Sequence, residues 1–428
     1  MLTLAIVFLA LLLLGVPVAL VLVGAGLAYL VLSGTPLTVA PQRMFVAADD
    51  FTLMAIPLFI LAGYLMNEAG ITQRLVRFAV LLLGRINAGL SYANVLVCMV
   101  FGGITGVAAA EVAAVGTVLI PAMEEDGHDR EYATALTLAG SLMGPIIPPS
   151  VPLLIYGIQA EVSIGKLFLA GVIPGVLIGL VLLGLNFVLL RRQGFRSRLR
   201  HAAGLHEDRA WRVVAEALLA VVMPVVVVGG IVAGVFTPTE SAGIAVAYAL
   251  VVGLLVFRTL RLHALPRIFV EAGITSGVVM IIVTASAVLN WVLAYAQVPT
   301  AVAQWMLRMT DNPHLFLLLV LVLLLVVGMP LDPVPALIIL TPVLLPAAKS
   351  YGIDLLHFGM VMVFTLVIGL LTPPVGASLF VGSAVSQISL ERLSVAVLPF
   401  VAVLLGVAVV LTFVPGLSVW LPRVLLGR

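Results

Sequence analysis

Long apolar stretches separated by short polar segments make up almost the whole chain. Runs of about 20 apolar residues are long enough to cross a bilayer as helices, and no alternating strand pattern is present. The apolar segments are 2–32, 51–67, 88–124, 131–160, 164–190, 213–235, 239–257, 268–295, 313–348, 357–386 and 389–421. This pattern predicts an all-α polytopic membrane protein, with 2–32 as one tilted or bent span.

Two of these segments are too long for a single straight span. Segments 88–124 and 313–348 each hold about 36 residues, against the roughly 20 that a span needs. Each has a polar, Gly- or Pro-bearing middle, FGGITGVAAAE at 101–111 and VGMPLDPVP at 327–335. We therefore predict two re-entrant helical hairpins whose tips stop near the middle of the membrane. Amphipathic segments precede both hairpins, at 70–87 and 298–312.

Two further segments contain prolines where a membrane helix should be continuous. They read GPIIPPSVP at 144–152 and IGLLTPPVGAS at 368–378. Proline removes a backbone donor and disrupts a helix interior, so both segments are predicted to be broken helices. The two halves of the chain match at a constant offset of 225 residues, which pairs Pro121 with Pro346, Pro148 and Pro149 with Pro373 and Pro374, Pro174 with Pro399, and Gly144 with Gly369.

The topology of this repeat indicates a class of protein. Three full spans, 213–235, 239–257 and 268–295, separate the first repeat from the second hairpin. An odd number of crossings places the second hairpin on the opposite side, so the repeats are predicted to be inverted, as in many secondary transporters. Unwound backbone inside a membrane is tolerated where it is buried in protein or lines a wet cavity. A plain proline kink without a ligand role remains the alternative for each break.

Composition and charge exclude several other classes. The 428 residues are 63% hydrophobic and 9% charged, whereas soluble domains carry about 25% charged residues. Seven arginines crowd the loop 191–212, which predicts that this loop is cytoplasmic. No basic aromatic patch points to nucleic acid.

No motif indicates catalysis. The single Cys98 permits no disulfide, and the six histidines fall in loops or at span ends without metal-ligand spacing. G-x-S-x-G and Walker motifs are absent. We therefore expect no enzyme activity, no catalytic residues and no cofactor.

The chemistry is expected where the hairpin tips meet the breaks. Backbone carbonyls and hydroxyls there would suit Na⁺, a hard cation that prefers oxygen ligands. Glu111 and Asp332 lie close to the two tips, either as functional intramembrane acids or as caps of helix N-termini. The predicted sodium- or substrate-binding residues are Gly103, Thr105, Gly106, Glu111, Gly144, Pro145, Pro148, Pro149 and Ser150 in the first region, and Gly328, Asp332, Thr372, Pro373, Pro374 and Gly376 in the second.

Four motifs resemble a known family. GGITGVAAAEVAAVGTVLIPAMEEDG, GPIIPPSVPLLIYG, GMPLDPVPALIILTPVLLPAAKSYGIDLLHFG and GLLTPPVGASLFVGSAV are similar to the large, DctM-like membrane subunit of tripartite ATP-independent periplasmic (TRAP) transporters. The resemblance covers essentially the whole chain. It implies an elevator-type ion-transporter fold and Na⁺-driven import of organic acids, such as C4-dicarboxylates or sialic acid, across the bacterial or archaeal inner membrane.

The resemblance also implies partners and a division of the chain. A periplasmic, DctP-like binding protein would deliver the substrate, and a separate small four-span, DctQ-like subunit would brace the scaffold within the lipid bilayer. Scaffold spans and the first arm would occupy 1–87, and the first transport repeat would occupy 88–190. The cytoplasmic loop, further scaffold spans and the second arm would occupy 191–312, and the second transport repeat 313–428.

Carried onto this sequence, the family's two ion sites fall on the predicted tip and break pairs. They would lie at the Gly103–Gly106 tip with the Gly144–Pro149 break, and at the Gly328–Asp332 tip with the Thr372–Gly376 break. The first tip departs from the family pattern, because Val107 stands where Gly-Ser-Ala is frequent and Glu111 where Asp is common. Backbone ligands are therefore expected to matter more than side chains at the first site.

Two other functions remain open from the sequence. A stand-alone Na⁺/carboxylate symporter of the same superfamily would transport without a binding protein. A membrane-embedded enzyme or a structural membrane protein would not need paired broken helices.

Overall fold

A computed structural model describes residues 2–197 and 210–427. Within these two ranges all regular structure is helical. Most of the arginine-rich loop, including Arg198, Arg200 and Arg209, lies outside the described residues. The cytoplasmic placement of that loop therefore stays a prediction.

Twenty α-helices follow one another in the described chain. The first ten are α1 (Leu2–Leu13), α2 (Val18–Ser33), α3 (Val39–Ala48), α4 (Ala55–Glu68), α5 (Ile71–Leu83), α6 (Gly89–Thr105), α7 (Ala108–Glu125), α8 (Arg130–Ser141), α9 (Val151–Ala160) and α10 (Ile164–Arg192). The last ten are α11 (Ala210–Val232), α12 (Pro238–Val251), α13 (Leu265–Tyr295), α14 (Val298–Met309), α15 (Pro313–Gly328), α16 (Pro333–Ser350), α17 (Leu355–Gly369), α18 (Ala377–Ser386), α19 (Leu390–Phe413) and α20 (Gly416–Leu426). A 3₁₀ turn, Phe51–Met54, precedes α4, and a π-helical turn, Val252–Val256, follows α12.

The N-terminal segment differs from its prediction. Residues 2–32 do not form one span, because α1 ends before Gly15, which adopts φ +73°, and Pro17 immediately precedes α2. The chain turns back there, so that Gly24 of α2 lies against the Leu11 side chain of α1. The single-span prediction is wrong because a left-handed glycine and a proline stand close together in the apolar run. The helices α3 and α20 were also not predicted as separate elements.

Seven helical segments of the described chain are long and apolar enough to cross a membrane. They are Phe51–Glu68, Ile164–Arg192, Ala210–Val232, Pro238–Val256, Leu262–Tyr295, Pro333–Ser350 and Leu390–Phe413. The other apolar helices are shorter than a bilayer is thick. Several of those shorter helices are the halves of the hairpins and broken helices.

The two predicted hairpin segments and the two proline-rich segments each contain a pair of helices. Gly106 and Val107 separate α6 from α7, and residues 329–332 separate α15 from α16. In the proline-rich segments, residues 142–150 separate α8 from α9, and residues 370–376 separate α17 from α18. The Pro148–Pro149 and Pro373–Pro374 peptide bonds are both cis.

Helices from the two halves of the chain pack across one another. The second helix of the first hairpin, α7, packs on α18, and the second helix of the second hairpin, α16, packs on α9. Two small residues allow close approach, since Gly116 of α7 meets Val385 of α18 and Gly382 of α18 meets Leu138 of α8. Apolar residues of both tips and both breaks consequently belong to one hydrophobic core. The inverted orientation of the repeats and the proposed domain boundaries stay predictions.

The amphipathic helix α5 is held against neighbouring helices by Arg74. Its Nη1 donates to the carbonyl oxygens of Ala69 and Gly70, both at 2.9 Å. Its Nε lies 3.2 Å from Glu216 Oε2 of α11, and its guanidinium stacks 3.7 Å from the ring centre of Phe257. One side chain therefore ties α5 to the end of α4, to α11 and to the segment after α12.

Candidate functional site

The first hairpin tip packs on the first break through backbone atoms. A Cβ atom added at Gly102 would lie 2.9 Å from Gly144 Cα, and one at Gly103 would lie 3.1 Å from the Pro148 carbonyl oxygen. Gly106 adopts φ +63°, and a Cβ there would lie 2.9 Å from the Pro149 carbonyl oxygen. Only glycine allows this approach, and it brings carbonyl groups of the break against the tip.

Glu111 is a buried carboxylate whose oxygens lack the hydrogen bonds or ion pair that would offset its burial. It lies in the first turn of α7 and is 0% exposed. Neither carboxylate oxygen has a hydrogen-bond partner in the described chain, and its interaction with the weakly polar Cys98 thiol supplies little. Its Oε2 would be 2.6 Å from a Cβ at Gly144, so the carboxylate rests on the break itself. A buried, unpaired carboxylate is costly, and a bound cation would remove that cost.

Other polar groups surround this contact. Thr105 Oγ1 at the tip is buried without a hydrogen-bond partner. Ser150 donates its hydroxyl proton to the Pro145 carbonyl oxygen and caps α9 by accepting from the Leu153 amide at 3.2 Å. The first region therefore holds two unsatisfied side chains, Thr105 and Glu111, beside a satisfied Ser150.

A polar network lies beneath the first contact. Asn94 of α6 donates to Thr137 Oγ1 of α8 at 2.6 Å, and Cys98 donates to Asn94 Oδ1 at 3.4 Å. Cys98 is fully buried, as expected for a small hydrophobe. The network links α6 of the first hairpin to α8, the helix that leads into the first break. In the sequence, Asn94 and Thr137 are polar residues within apolar segments.

The second tip meets the second break in a comparable way. A Cβ at Gly369 would lie 2.5 Å from the Gly328 carbonyl carbon, and one at Gly328 would lie 2.7 Å from the Leu366 carbonyl oxygen. Gly376 adopts φ +45°, and the following Ser378 amide donates to the Leu370 carbonyl oxygen at 3.0 Å. This hydrogen bond closes the loop that contains Pro373 and Pro374.

Asp332 has a role that Glu111 lacks. It is the N-cap of α16, and its Oδ1 accepts from the Val334 amide at 3.0 Å. Although many protein atoms surround it, the residue is exposed at the surface of the chain. Thr372 is buried and donates its hydroxyl proton to the Ile368 carbonyl oxygen at 2.8 Å. The capping alternative thus describes Asp332, whereas Glu111 makes no capping hydrogen bond.

The two regions differ in exposure. Gly103, Gly106 and the first break from Gly144 to Ser150 are buried, apart from a half-buried Ile147. In the second region Pro374 and Val375 are exposed, together with Pro330 and Asp332 at the tip. The first break is therefore closed in this structure and the second is open, while both tips have exposed neighbours, which at the first tip are Ala109 and Ala110.

The predicted site residues fall into two groups in space. The structure brings the Gly103–Gly106 tip, Glu111 and the Gly144–Ser150 break together, and it brings Gly328 to the start of the second break. Gly102, at the closest backbone contact of the first region, was among the candidates for cation ligation, whereas Gly369, at the closest contact of the second region, was absent from the predicted site set. A sequence signal for Gly369 was available, because it matches Gly144 at the repeat offset.

The ligand chemistry favours a hard cation over a transition metal. Within residues 2–197 and 210–427 no three His, Cys, Asp or Glu side chains cluster as a metal site would require. The first region offers only oxygen atoms, from the Pro148 and Pro149 carbonyl groups, the Thr105 hydroxyl and the Glu111 carboxylate. Such an oxygen-only set suits a cation like Na⁺.

Comparison with known proteins identifies similar sequences. A family described as "Tripartite ATP-independent periplasmic transporter, DctM component" matches residues 5–417. The sialic acid TRAP transporter large permease protein SiaM of Vibrio cholerae is 38% identical over 421 residues, covering 98% of both chains. The C4-dicarboxylate TRAP transporter large permease protein DctM of Pseudomonas aeruginosa is 36% identical over 382 residues, covering 89% of this chain and 88% of that protein.

A longer relative is also similar. The isethionate TRAP transporter permease protein DctMQ of Oleidesulfovibrio alaskensis is 39% identical over 407 residues. The match covers 95% of this chain and 64% of that protein.

Two solved transporters share the fold at low sequence identity. Alcanivorax borkumensis YdaH aligns with a TM-score of 0.60 at 16% identity, covering 89% of this chain and 87% of that one. Neisseria gonorrhoeae MtrF aligns with a TM-score of 0.58 at 12% identity, covering 88% and 83%. At these identities the likeness shows the fold alone, and it agrees with the predicted all-α transporter class.

Proposed function

This chain belongs to the DctM component family of tripartite ATP-independent periplasmic transporters, and we propose that it imports an organic acid by coupling to Na⁺. It is a TRAP large permease and a multi-pass protein of the inner membrane. Its relatives are permeases rather than enzymes, which confirms the prediction that the chain is not an enzyme. The proposal concerns the substrate class, the coupling ion, the partners and the mechanism.

The unsatisfied first region is the observation that carries the sodium proposal. Glu111 lies against the break with both oxygens unpaired, and Thr105 Oγ1 is also unpaired. Carbonyl oxygens of Pro148 and Pro149 lie beside the tip. A sodium ion bound here would satisfy these groups and would join the tip to the break.

The second region would take part in the same cycle. Its tip and break meet at Gly328 and Gly369, and its exposed Asp332 and Pro374 face accessible space. A second cation or the substrate could reach this region without crossing packed protein. The helix α18 begins without a side-chain cap, so the positive end of its helix dipole would favour an anionic group there.

The proposed partners follow from the relatives. A longer relative is named DctMQ, and the match with this chain covers 64% of it, which supports a DctQ-like component as a partner of this chain. A DctP-like binding protein would deliver the substrate from the periplasm. The proposed movement is of the elevator type, in which the first tip would move against the predicted scaffold helices α4 and α11. In this structure Gly63 of α4 lies against Thr105, and Pro224 of α11 lies against Gly103.

Uptake by a reconstituted system tests this proposal. The chain, its candidate small subunit and its candidate binding protein would be placed in proteoliposomes with sialic acid, isethionate or succinate outside. We expect uptake that requires an inward Na⁺ gradient and the binding protein, with K⁺ as the matched control cation. Na⁺-driven uptake without the binding protein would instead indicate a stand-alone symporter. Uptake that is indifferent to Na⁺ would overturn the proposed coupling.

A further inference from the structure

A cavity outside both tip and break regions lies between α3, α9 and α13. Its volume is about 350 Å³, and none of the predicted site residues lines it. This volume is within the range of small-molecule sites. We call it the vestibule, and its polar lining consists of Arg43, Asp50, Gln159, Ser286 and Asn290, beside Trp291.

The vestibule opens on a defined side of the protein. The ends of α9 and α13 border it, and α10 runs from the end of α9 to the arginine-rich loop. The vestibule therefore lies at the end of α10 opposite that loop. If the loop is cytoplasmic, as its charge predicts, the vestibule faces the periplasm, from which substrate arrives.

Arg43 is held in place but keeps its donors free. Its guanidinium lies 5.6 Å from the ring centre of Trp291, and Trp291 stacks on Tyr295 with ring centres 5.1 Å apart. A cation–π contact at this distance leaves the guanidinium N–H groups available to a ligand. No carboxylate within the described part of the chain forms an ion pair with Arg43. The free edge matches a carboxylate or sulfonate.

Acceptor groups complete the lining. Asn290 donates through Nδ2 to the Ile338 carbonyl oxygen at 3.3 Å, which leaves its Oδ1 buried without a partner. Asp50 uses Oδ1 to accept the Thr52 amide at 2.8 Å. An unsatisfied buried acceptor favours a ligand that donates a hydrogen bond. Because the Asp50 carboxylate lines the same cavity, it would repel a dianionic ligand more strongly than a monoanion.

We propose that the vestibule is a reception site for a hydroxylated monoanion, with Arg43 binding the anionic group and Asn290 Oδ1 accepting from a hydroxyl. This inference rests on the proposed function and narrows its substrate class. Hydroxylated carboxylates and hydroxysulfonates fit the vestibule, whereas a C4-dicarboxylate does not. Arg43 also supplies the cationic side chain that the hairpins and breaks lack.

Protection from chemical labelling tests the vestibule in the purified full chain. Ala47 lines the vestibule, so an Ala47→Cys variant would be modified with N-ethylmaleimide, which is uncharged. The native Cys98 is fully buried and serves as the internal background. We expect millimolar gluconate to slow modification severalfold and succinate to slow it much less.

Charge variants make the labelling result specific. Arg43→Gln should abolish protection by gluconate, whereas Arg308→Gln, an exposed arginine on α14 away from the vestibule, should leave it intact. Absence of protection in the Ala47→Cys chain, or equal protection with Arg43→Gln, would overturn the inference. A melting curve for each variant would confirm that it is folded.

The uptake assay separates this inference from the proposed function. With the three components reconstituted, Arg43→Gln should raise the KM for sialic acid or isethionate about tenfold and leave the maximal rate nearly unchanged. If the unmodified chain shows Na⁺-dependent uptake but Arg43→Gln has the same KM, only the vestibule is contradicted. If the unmodified chain prefers succinate, the proposed selectivity is wrong while the transport function stands.

Discussion

Glu111 and Asp332 occupy similar places beside the two hairpin tips, but their surroundings assign them different roles. The Asp332 carboxylate already accepts a backbone hydrogen bond, and the residue is exposed at the surface of the chain. The Glu111 carboxylate has no such bond and is fully buried. The sequence supplied the identity of both acids but left their roles equal, because capping depends on a backbone geometry that spacing alone does not determine.

Asp332 can be tested for a role beyond capping. Asparagine retains an N-cap acceptor but carries no charge, so Asp332→Asn should keep the start of α16 intact. We expect this variant to lower Na⁺-dependent uptake at least fivefold, because the charge at the open second region is lost. Glu240→Gln is the matched control, since Glu240 forms a capping box with Thr237 at the start of α12. Equal uptake by the two variants would limit Asp332 to its capping role.

His128 predicts a pH dependence of stability. It lies in the turn between α7 and α8 and is buried beneath Phe195, whose ring centre is 4.0 Å away. Burial lowers the pKa of His128, although the Met123 carbonyl, Asp126 and Asp129 oppose the shift. Because the unfolded chain then binds the proton more tightly, the free energy of unfolding should fall as the pH drops below about 6.5.

Melting curves between pH 7.5 and pH 5.5 would measure this effect. The unmodified chain should lose more thermal stability over this range than a His128→Gln variant does. His263 is exposed, and His263→Gln should behave like the unmodified chain. Parallel pH profiles for all three proteins would show that the burial of His128 has no energetic consequence.

At the scale of elements, hydrophobic patterning predicted long helices well and short ones poorly. The halves of the hairpins and the breaks were visible because Gly and Pro interrupt long apolar runs. The helices α3 and α20 were missed, since each holds 12 or fewer residues beside stronger apolar segments. Because α3 was not predicted, the sequence did not indicate that Arg43 on this helix lines the vestibule.

The backbone contact at the second break is an element-scale prediction. A methyl group at Gly369 would come within 2.5 Å of Gly328, so Gly369→Ala should force the tip and the break apart. We expect Na⁺-dependent uptake to fall more than tenfold while the protein still folds, because overpacking costs about 1–3 kcal/mol. Gly406→Ala on α19 is the control, since open space surrounds that position. Normal uptake by Gly369→Ala would argue against a functional contact there.

The attachment of α5 gives another element-scale prediction. The side chain of Arg74 is 13% exposed and joins three neighbouring elements. Lysine cannot reproduce its stacking and forked hydrogen bonds, so Arg74→Lys should lower the free energy of unfolding by about 1–3 kcal/mol. Thermal melting in detergent would measure the loss. Arg77→Lys, one turn further on an exposed face, should change little, and equal effects would contradict the proposed attachment.

At the scale of the whole molecule, the two halves of the chain meet in one core. The sequence predicted the all-α transporter class because composition, long apolar runs and paired breaks all agree. It did not predict that the first break is closed and the second open, since exposure depends on how α4, α11 and α14 pack around the tips. Those long-range contacts leave no periodic pattern in the sequence.

The central claim is that Na⁺ binds where the first tip meets the first break. A ligand that binds only the folded state stabilises it, by about 2.7 kcal/mol at a hundredfold excess over its Kd. The most direct measurement is therefore the melting temperature of the purified chain in NaCl and in KCl of equal ionic strength. Neither the binding protein nor the substrate is needed.

We predict that Na⁺ raises the melting temperature of the unmodified chain by a few degrees relative to K⁺. Glu111→Gln should abolish this difference without loss of stability in K⁺, because it replaces an unpaired buried carboxylate by a neutral group of similar shape. Glu240→Gln should retain the Na⁺ response. Equal melting temperatures in Na⁺ and K⁺ for the unmodified chain, or a full Na⁺ response in Glu111→Gln, would contradict the account.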